Sequence, residues 1–246
     1  MIRDFDESEI DPLAVGAWIL GTGGGGSPYL AQLNLKKLYK DGKRVKLMDP
    51  LALDDDDAVA VVSKMGAPLV GQERLVDPAH LARAMQLMEE FTGRKFRAVM
   101  SVEIGGGNAL SPFLAGAMLD IPVIDADAMG RAYPEAQMTS FAIGDLPMYP
   151  LTLVDCRDNE AIVAKAASWK WMERISGSTS ATCKAPRTGK EVKEWGVLHT
   201  VTKATSLGRA VLEARAAHSD PIDAVLAHEK GKVLFKGKIS DVDRTT

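Results

Sequence analysis

The sequence predicts an α/β protein: a three-layer α/β N-terminal domain and a second, β-containing C-terminal domain. Short apolar runs rich in β-branched residues, such as 58–63 and 96–102, alternate with segments that have helical periodicity. A glycine run or a carboxylate follows several of these apolar runs, as in strand-to-helix loops of open sheets. At 246 residues the chain can bury a substantial core in one large or two ordinary domains.

Helix start signals place the elements of the first half. Asp11-Pro12 and Asp77-Pro78 each supply an N-cap residue with proline in the first turn, and Ser27 precedes Pro28 in the same way. Helices are therefore predicted over residues 11–20, 27–40 and 77–92. Strands are predicted over the apolar runs at residues 44–48, 58–63, 96–102 and 121–124.

The second half predicts a change of domain. A strand over 151–154 and a helix over 159–175 precede a stretch of small and polar residues, which predicts a loop over 177–192. Residues 1–175 would form the first domain and residues 176–246 the start of a second α+β domain. Its predicted elements are a strand over 197–202, helices over 205–217 and 221–228, and a strand over 232–243. Because no partner follows that last strand, we expect an incomplete domain.

Composition limits the classes of partner. The net charge of −3 gives no basic surface for nucleic acid, and no apolar run is long enough to cross a membrane. The polar start MIRDFDESEI and the two cysteines, Cys156 and Cys183, predict a cytoplasmic protein with reduced thiols. We expect a homo-oligomer, which is common among α/β metabolic enzymes.

The first glycine run has two interpretations. Gly21, Gly23 and Gly26 match the spacing of a dinucleotide fingerprint, but a predicted helix precedes them where a strand is needed, which argues against NAD. The N–H groups of the run, including Gly24 and Gly25, could hold an anionic or carbonyl oxygen. Alternatively, the glycines allow close packing of helix against helix.

The stretch 102–138 carries the strongest functional pattern. A predicted strand, a second glycine run and a helix are followed by another short strand, and charged residues come just after both strand ends. The candidate catalytic residues are these charged groups: Glu103, Asp127, Arg131 and Glu135. The candidate substrate-binding residues lie in the glycine runs and at the second strand end: Gly23, Gly24, Gly25, Gly106, Gly107, Asn108 and Asp125.

The roles of the carboxylates stay open at this point. They could supply a general base, hold a divalent metal, or cap helices and pair with Arg131. Arg131 itself could bind a substrate carboxylate or imide oxygen, or neutralise Asp127. The cofactor is therefore unknown: a divalent metal fits the residue types, whereas NAD does not fit the context of the glycine run.

Three motifs together resemble the S-methyl thiohydantoin desulfurase domain family, which is associated with hydantoinase and oxoprolinase systems. They are GTGGGGSPYL (21–30), VEIGGGN (102–108) and DADAMGRAYPEAQMTS (125–140). TSLGRAVLEAR and VLFKGKISDVDRTT are similar to the family's second half. Members are usually longer, so part of the C-terminal β domain is expected to be missing, and Ala128 stands where glycine is common.

The resemblance implies an enzyme of small cyclic amide (hydantoin-type) catabolism that removes the sulfur group of S-methyl thiohydantoin. In a hydrolytic version, Glu103 or Asp127 activates a water that adds to the carbon carrying the S-methyl group. Arg131, Asn108 and glycine-loop N–H groups would stabilise charge on the ring. The alternative is a non-catalytic accessory or binding subunit beside hydantoinase- or oxoprolinase-type proteins.

Overall fold

The computed structural model describes residues 1–66, 77–176 and 180–242, and it confirms the predicted α/β class. Eight strands form one sheet in the order β1-β2-β5-β4-β3-β9-β7-β8, and β6 pairs with β10 in a separate ribbon. The strands are β1 (Ile2–Phe5), β2 (Val45–Met48), β3 (Ala58–Met65), β4 (Ala98–Ser101), β5 (Val123–Ile124), β6 (Ala126–Asp127), β7 (Leu151–Asp155), β8 (Glu160–Val163), β9 (Ser180–Thr188) and β10 (Val197–Leu198).

Strand directions bring several polar residues to one edge of the sheet. β2, β5, β4 and β3 are parallel neighbours, whereas β9 runs antiparallel to both β3 and β7. The carboxyl ends of parallel strands meet at the same edge, so Lys64, Glu103 and Asp125 lie at or just beyond that edge. This arrangement positions the residues described below.

Helices cover both faces of the sheet. They are α1 (Ile10–Gly21), α2 (Tyr29–Lys40), α3 (Ala79–Thr92), α4 (Ser111–Leu119), α5 (Ser140–Ile143), α6 (Trp169–Ser176), α7 (Gly189–Trp195), α8 (Thr200–Ala216) and α9 (Pro221–Glu229). Along β3, Ala60 and Val62 join the core beneath α1 to α4, whereas Val59 and Val61 join the core beneath α5 and α7. The alternation produces the predicted three layers.

The predicted helix over 159–175 is partly wrong. Residues Glu160–Val163 form β8, paired antiparallel with β7, and α6 begins only at Trp169. Arg83 of α3 binds Glu160 through two hydrogen bonds of 2.5 and 2.9 Å, and β-branched Ile162 and Val163 favour a strand. Pairing across the sheet therefore overrides the helical pattern of this stretch.

The predicted loop over 177–192 is wrong where the structure describes it. Residues from Ser180 form β9 and those from Gly189 form α7; residues 177–179 lie outside the described residues. Thr182 is buried in β9, and its hydroxyl lies 2.9 Å from that of Ser63 in β3. Small polar residues suit this strand because polar partners on β3 satisfy them.

Two further strand predictions need correction. The strand over 197–202 is limited to Val197–Leu198, because α8 already begins at Thr200. Residues 231–242 have no regular structure despite their alternating pattern, and Asp243 lies outside the described residues. Among the described strands, none pairs with this segment, and an isolated strand has no partner for its backbone hydrogen bonds.

The sheet joins residues on both sides of the predicted boundary at residue 175. β9 follows that boundary but lies between β3 and β7. Helix α8 also packs on the first half, because it crosses α1 at two glycines. A Cβ on Gly16 would lie 1.8 Å from the Ala204 oxygen, and a Cβ on Gly208 would lie 1.9 Å from the Pro12 oxygen. The division at residue 175 itself stays a prediction.

Gly208→Ala should lower the free energy of unfolding by about 1–3 kcal/mol, because the added methyl group pushes α8 away from α1. In an unhindered helix the same change stabilises by about 1 kcal/mol. Urea denaturation measures the difference, and exposed Arg209→Ala is the control in the neighbouring position. An unchanged or higher stability of Gly208→Ala would contradict the close crossing.

Candidate functional site

The two glycine runs pack against each other, backbone on backbone. The Gly107 N–H donates to the oxygens of Gly25 and Gly26, at 2.9 Å each. A Cβ on Gly25 would lie 2.2 Å from the Gly105 oxygen, and one on Gly106 would lie 2.4 Å from the Gly26 oxygen. Close packing therefore explains these glycines, although loop meets loop and not helix meets helix.

The outer part of the first run is open. Gly23 and Gly24 are exposed, and Gly23 has a φ of +94° with no atom within 4 Å of a Cβ placed on it. Their role in substrate binding stays a prediction. Their backbone lies on the surface of the loop, whereas Gly25, Gly106 and Gly107 make the contact that joins the two runs.

Asp127 fastens the second glycine run to the chain after β6. Its carboxyl is fully buried; Oδ2 accepts from the Ile104 N–H at 2.7 Å, and both oxygens accept from the Gly130 N–H, at 2.9 and 2.8 Å. Burial raises the pKa of Asp127 to about 7, against these backbone N–H groups, which lower it. The geometry suits a group that positions the loop.

Glu103 is a buried carboxyl that two hydrogen bonds hold in place. It follows β4, and its Oε1 accepts from the Asn108 side-chain amide at 2.6 Å. Its Oε2 accepts from the Tyr133 N–H at 3.0 Å. Burial raises the pKa of Glu103, although both hydrogen bonds and the charge of Lys184 lower it. A buried carboxyl with a raised pKa and two fixed donors is suited to proton transfer.

Asn108 orients Glu103 from the other side. Its Oδ1 accepts from the Lys64 N–H at 2.7 Å, while its amide nitrogen lies 3.3 Å from the Lys64 oxygen. The side chain therefore bridges the end of β3 to the carboxyl of Glu103. With both ends engaged, Asn108 acts here as a positioning residue.

The remaining predicted residues lie elsewhere. Asp125 caps α8: its Oδ1 accepts from the Thr202 N–H at 3.0 Å, and its Oδ2 accepts from the Thr202 hydroxyl. Arg131 is exposed and donates to the Ala132 oxygen at 2.6 Å, with no ion pair among the described residues. Glu135 is exposed and accepts from the Gln137 amide. The structure thus groups Glu103, Asp127 and the glycine runs, but neither Arg131 nor Glu135 contacts them by hydrogen bonds.

A cavity with aromatic walls lies beside Glu103. Tyr133, Phe141 and Trp169 line it, together with Val102, the residue before Glu103. The cavity has a volume of about 10 Å³, which is room for one water molecule. Glu103 is joined to this wall twice, through the chain to Val102 and through its hydrogen bond to the Tyr133 N–H. A water molecule fits this space, and a small planar ring would stack against these aromatic walls only where they move apart.

Two buried cations in the cavity wall, Lys184 and Arg187 of β9, were missed by the sequence analysis. Lys184 is 5% exposed, and its Nζ lies 3.2 Å from the Met65 sulfur. Arg187 is 3% exposed; it donates to the Pro147 oxygen at 2.8 Å and lies 4.8 Å from the centre of the Phe141 ring. No sequence pattern marks the pair, because they are three positions apart and only a bulge in β9 brings both to one side.

Lys184→Met should stabilise the protein at pH 7. Burial lowers the pKa of Lys184 to about 8, from an ordinary value of 10.5, so the unfolded chain binds this proton more tightly. The free energy of unfolding should therefore rise between about pH 8 and pH 10 through this group, by roughly 1–3 kcal/mol. The variant lacks the titrating group and should lose that rise.

Urea denaturation of both proteins across this pH range measures the effect, with exposed Lys190→Met as the matched control. Equal pH dependence in wild type and Lys184→Met would show that the ammonium is not destabilised by burial.

Within residues 1–66, 77–176 and 180–242, no three His, Cys, Asp or Glu side chains come together as metal ligands. No helix in the described part of the chain has the length and apolar character needed to span a membrane.

Comparisons with known proteins agree with the motifs. The family model described as "S-Me-THD-like, N-terminal domain" matches residues 8–165, and its C-terminal counterpart matches residues 160–246. No curated protein matches the sequence. A crystal structure of a protein from Chromobacterium violaceum shares the fold, with a TM-score of 0.79 at 23% identity. The match covers 92% of this chain and 65% of that one. On the two family matches, which together span nearly all of its length, this chain belongs to the S-Me-THD-like family.

Proposed function

We propose that this chain carries the reaction centre of a hydrolytic desulfurase in cytoplasmic cyclic amide catabolism, with S-methyl thiohydantoin as a substrate. The observation that carries the proposal is the buried Glu103 carboxyl, held beside a small cavity with aromatic walls. Family membership supports the class of ring, since the family is named for this heterocycle. The buried carboxyl of Glu103 supports acid–base chemistry on this ring.

The reaction adds water and releases a thiol. Glu103 takes a proton from water, whose oxygen bonds to the ring carbon that carries the S-methyl group. The carbon–sulfur bond then breaks, and methanethiol leaves with the proton that Glu103 returns. The ring nitrogen takes the electron pair of the C=N bond on addition and then the second water proton. The ring carbon keeps the oxygen as a carbonyl, so the products are a hydantoin and methanethiol. A carboxyl whose pKa is raised by burial can both accept and return this proton.

The surrounding residues hold this group in place. Asn108 fixes one oxygen of Glu103 and the Tyr133 N–H fixes the other, while Asp127 ties down the loop that begins at Ile104. A base held in one orientation needs little rearrangement when it takes a proton from the attacking water. Partners of the hydantoinase or oxoprolinase type and a homo-oligomeric state stay part of the proposal.

Incubation of the protein with S-methyl thiohydantoin tests the proposal. Mass spectrometry should detect hydantoin and methanethiol in equal amounts, and calorimetry in parallel should detect ring binding. Binding of the ring without thiol release would support the non-catalytic accessory subunit instead. If neither ring binding nor thiol release is detected, the assignment of the cavity to this class of ring is overturned.

A further inference from the structure

A bulge in β9 brings two buried cations, Lys184 and Arg187, to the wall of one small cavity. Lys184 is opposite Val61 and Arg187 is opposite Val59, so three steps along β9 match two steps along β3. In a regular strand, residues three apart point to opposite faces, whereas one extra residue lets both line the same space. Two positively charged side chains therefore share this wall.

Both side chains keep their charge although they are buried. Burial lowers the pKa of Lys184 to about 8 and that of Arg187 to about 10, so both are largely protonated at pH 7. Buried cations are usually paired, since an uncompensated charge away from water is costly. Two like charges at one cavity therefore favour an anion beside them.

No carboxylate in the described part of the chain forms a hydrogen bond with either cation. The Lys184 Nζ lies 3.2 Å from the Met65 sulfur, and Arg187 donates to the Pro147 oxygen at 2.8 Å. The Arg187 Nε is buried and has no hydrogen-bond partner among the described residues. The carboxylates whose charge acts on the pair accept hydrogen bonds from other groups; they are Glu103, Glu173 and Glu191.

The size and the wall of the cavity suit one small ion that accepts hydrogen bonds. Its volume of about 10 Å³ is room for one water molecule, and a halide ion is only slightly larger. All polar side chains of the wall except its methionine carry donors, and none is a carboxylate or an amide; they are Tyr133, Thr139, Trp169, Lys184 and Arg187. A water molecule must also donate two hydrogen bonds, whereas a halide ion only accepts them.

We propose that this cavity binds one halide ion, with chloride the expected one, between Lys184 and Arg187. The ion compensates the two charges and gives the Arg187 Nε an acceptor. Because the ion offsets the cost of burying Lys184, the stabilisation expected of Lys184→Met is greatest in chloride-free buffer. The inference rests on β9 and the cavity, not on the proposed reaction.

Urea denaturation at constant ionic strength tests the proposal with sodium chloride as the probe. Sodium gluconate is the replacement salt, because its anion is too large for the cavity. Exchange of about 0.5 M gluconate for chloride should lower the unfolding equilibrium constant roughly tenfold more in wild type than in Lys184→Met or Arg187→Gln, since only wild type gains a ligand. Exposed Lys190→Met and Arg97→Gln should respond like wild type. A general salt effect is common to all five proteins and does not contribute to this difference.

Crystals of the wild-type protein grown in sodium bromide locate the ion directly, even where a site variant does not fold. Anomalous scattering from bromide should give a peak between the Lys184 ammonium and the Arg187 guanidinium. Density at this place without an anomalous peak would identify a water molecule and would overturn the inference.

An equal chloride effect in wild type and both site variants would overturn it as well. A bromide peak without any chloride effect on stability would mark an adventitious ion only, which also contradicts the inference. Methanethiol release is measured separately in gluconate, so that failure of the halide site and failure of the desulfurase proposal are distinguishable.

Discussion

Glu103→Gln is expected to lower methanethiol release from S-methyl thiohydantoin by at least about 100-fold, because the amide cannot take a proton from water. The substitution keeps the size of the side chain, and one of its ends still accepts a hydrogen bond from Asn108 or from the Tyr133 N–H. Its other end becomes a donor that faces a donor, so some stability is also lost. Initial rates and urea denaturation together separate the two effects.

The pH profile gives a second readout of the same carboxyl. Burial raises the pKa of Glu103 above its ordinary value of 4.5, and the base must be ionised to act. Turnover should therefore fall with acid at a pH above 4.5. Glu213→Gln, on the exposed side of α8, is the matched control and should keep the wild-type rate. A rate for Glu103→Gln within a few-fold of wild type would remove this carboxyl from the mechanism.

Gly106→Ala is expected to destabilise the protein by roughly 2–5 kcal/mol, from backbone strain and from a steric clash. Gly106 has a φ of +60°, and its added methyl group would lie 2.4 Å from the Gly26 oxygen. The two glycine runs would have to separate, which also moves Asn108, the partner of Glu103. Turnover of the folded fraction should therefore fall as well.

Comparison with Gly26→Ala separates the steric clash of Gly106→Ala from its backbone strain. Gly26 has a similar φ of +72°, but nothing lies within 4 Å of a Cβ placed on it. We expect this variant to lose only the strain, roughly 1–2 kcal/mol. Urea denaturation of the pair gives the contribution of the backbone contact. Equal losses in the two variants would show that the runs are not packed against each other.

The sequence predicts the parts of the fold that depend on local signals. The Asp77 carboxylate accepts from the Ala79 N–H at 2.8 Å at the start of α3, and apolar runs such as 58–63 form strands, because caps and periodicity act within a few residues. The predicted N-cap at Asp11 is wrong, since α1 begins at Ile10. Residues 180–188 were predicted as a loop because small polar residues suggest one, yet pairing with β3 and β7 makes them a buried strand. The pairing with β3 joins residues more than 100 positions apart, which local patterns do not contain.

Part of the candidate site was also predicted from the sequence, and part was not. Glu103 and the second glycine run were singled out because they follow a strand end, and the structure brings them together with the first glycine run. Asp125 was placed with them, but its carboxyl caps a helix that is remote in sequence. Lys184 and Arg187 were missed, since their common orientation depends on a bulge in a strand that was not predicted. Sequence patterns therefore reveal site residues that lie close together along the chain, but not those that strand pairing brings together.

The central claim is that a base beside this cavity, Glu103, directs water to the ring carbon that carries sulfur. Incubation with S-methyl thiohydantoin in ¹⁸O-labelled water, followed by mass spectrometry of the ring product, tests it most directly. We predict a hydantoin with one ¹⁸O on that carbon, formed together with methanethiol and lost in Glu103→Gln. Ring product without the label, or labelled product formed equally by Glu103→Gln, would contradict the account.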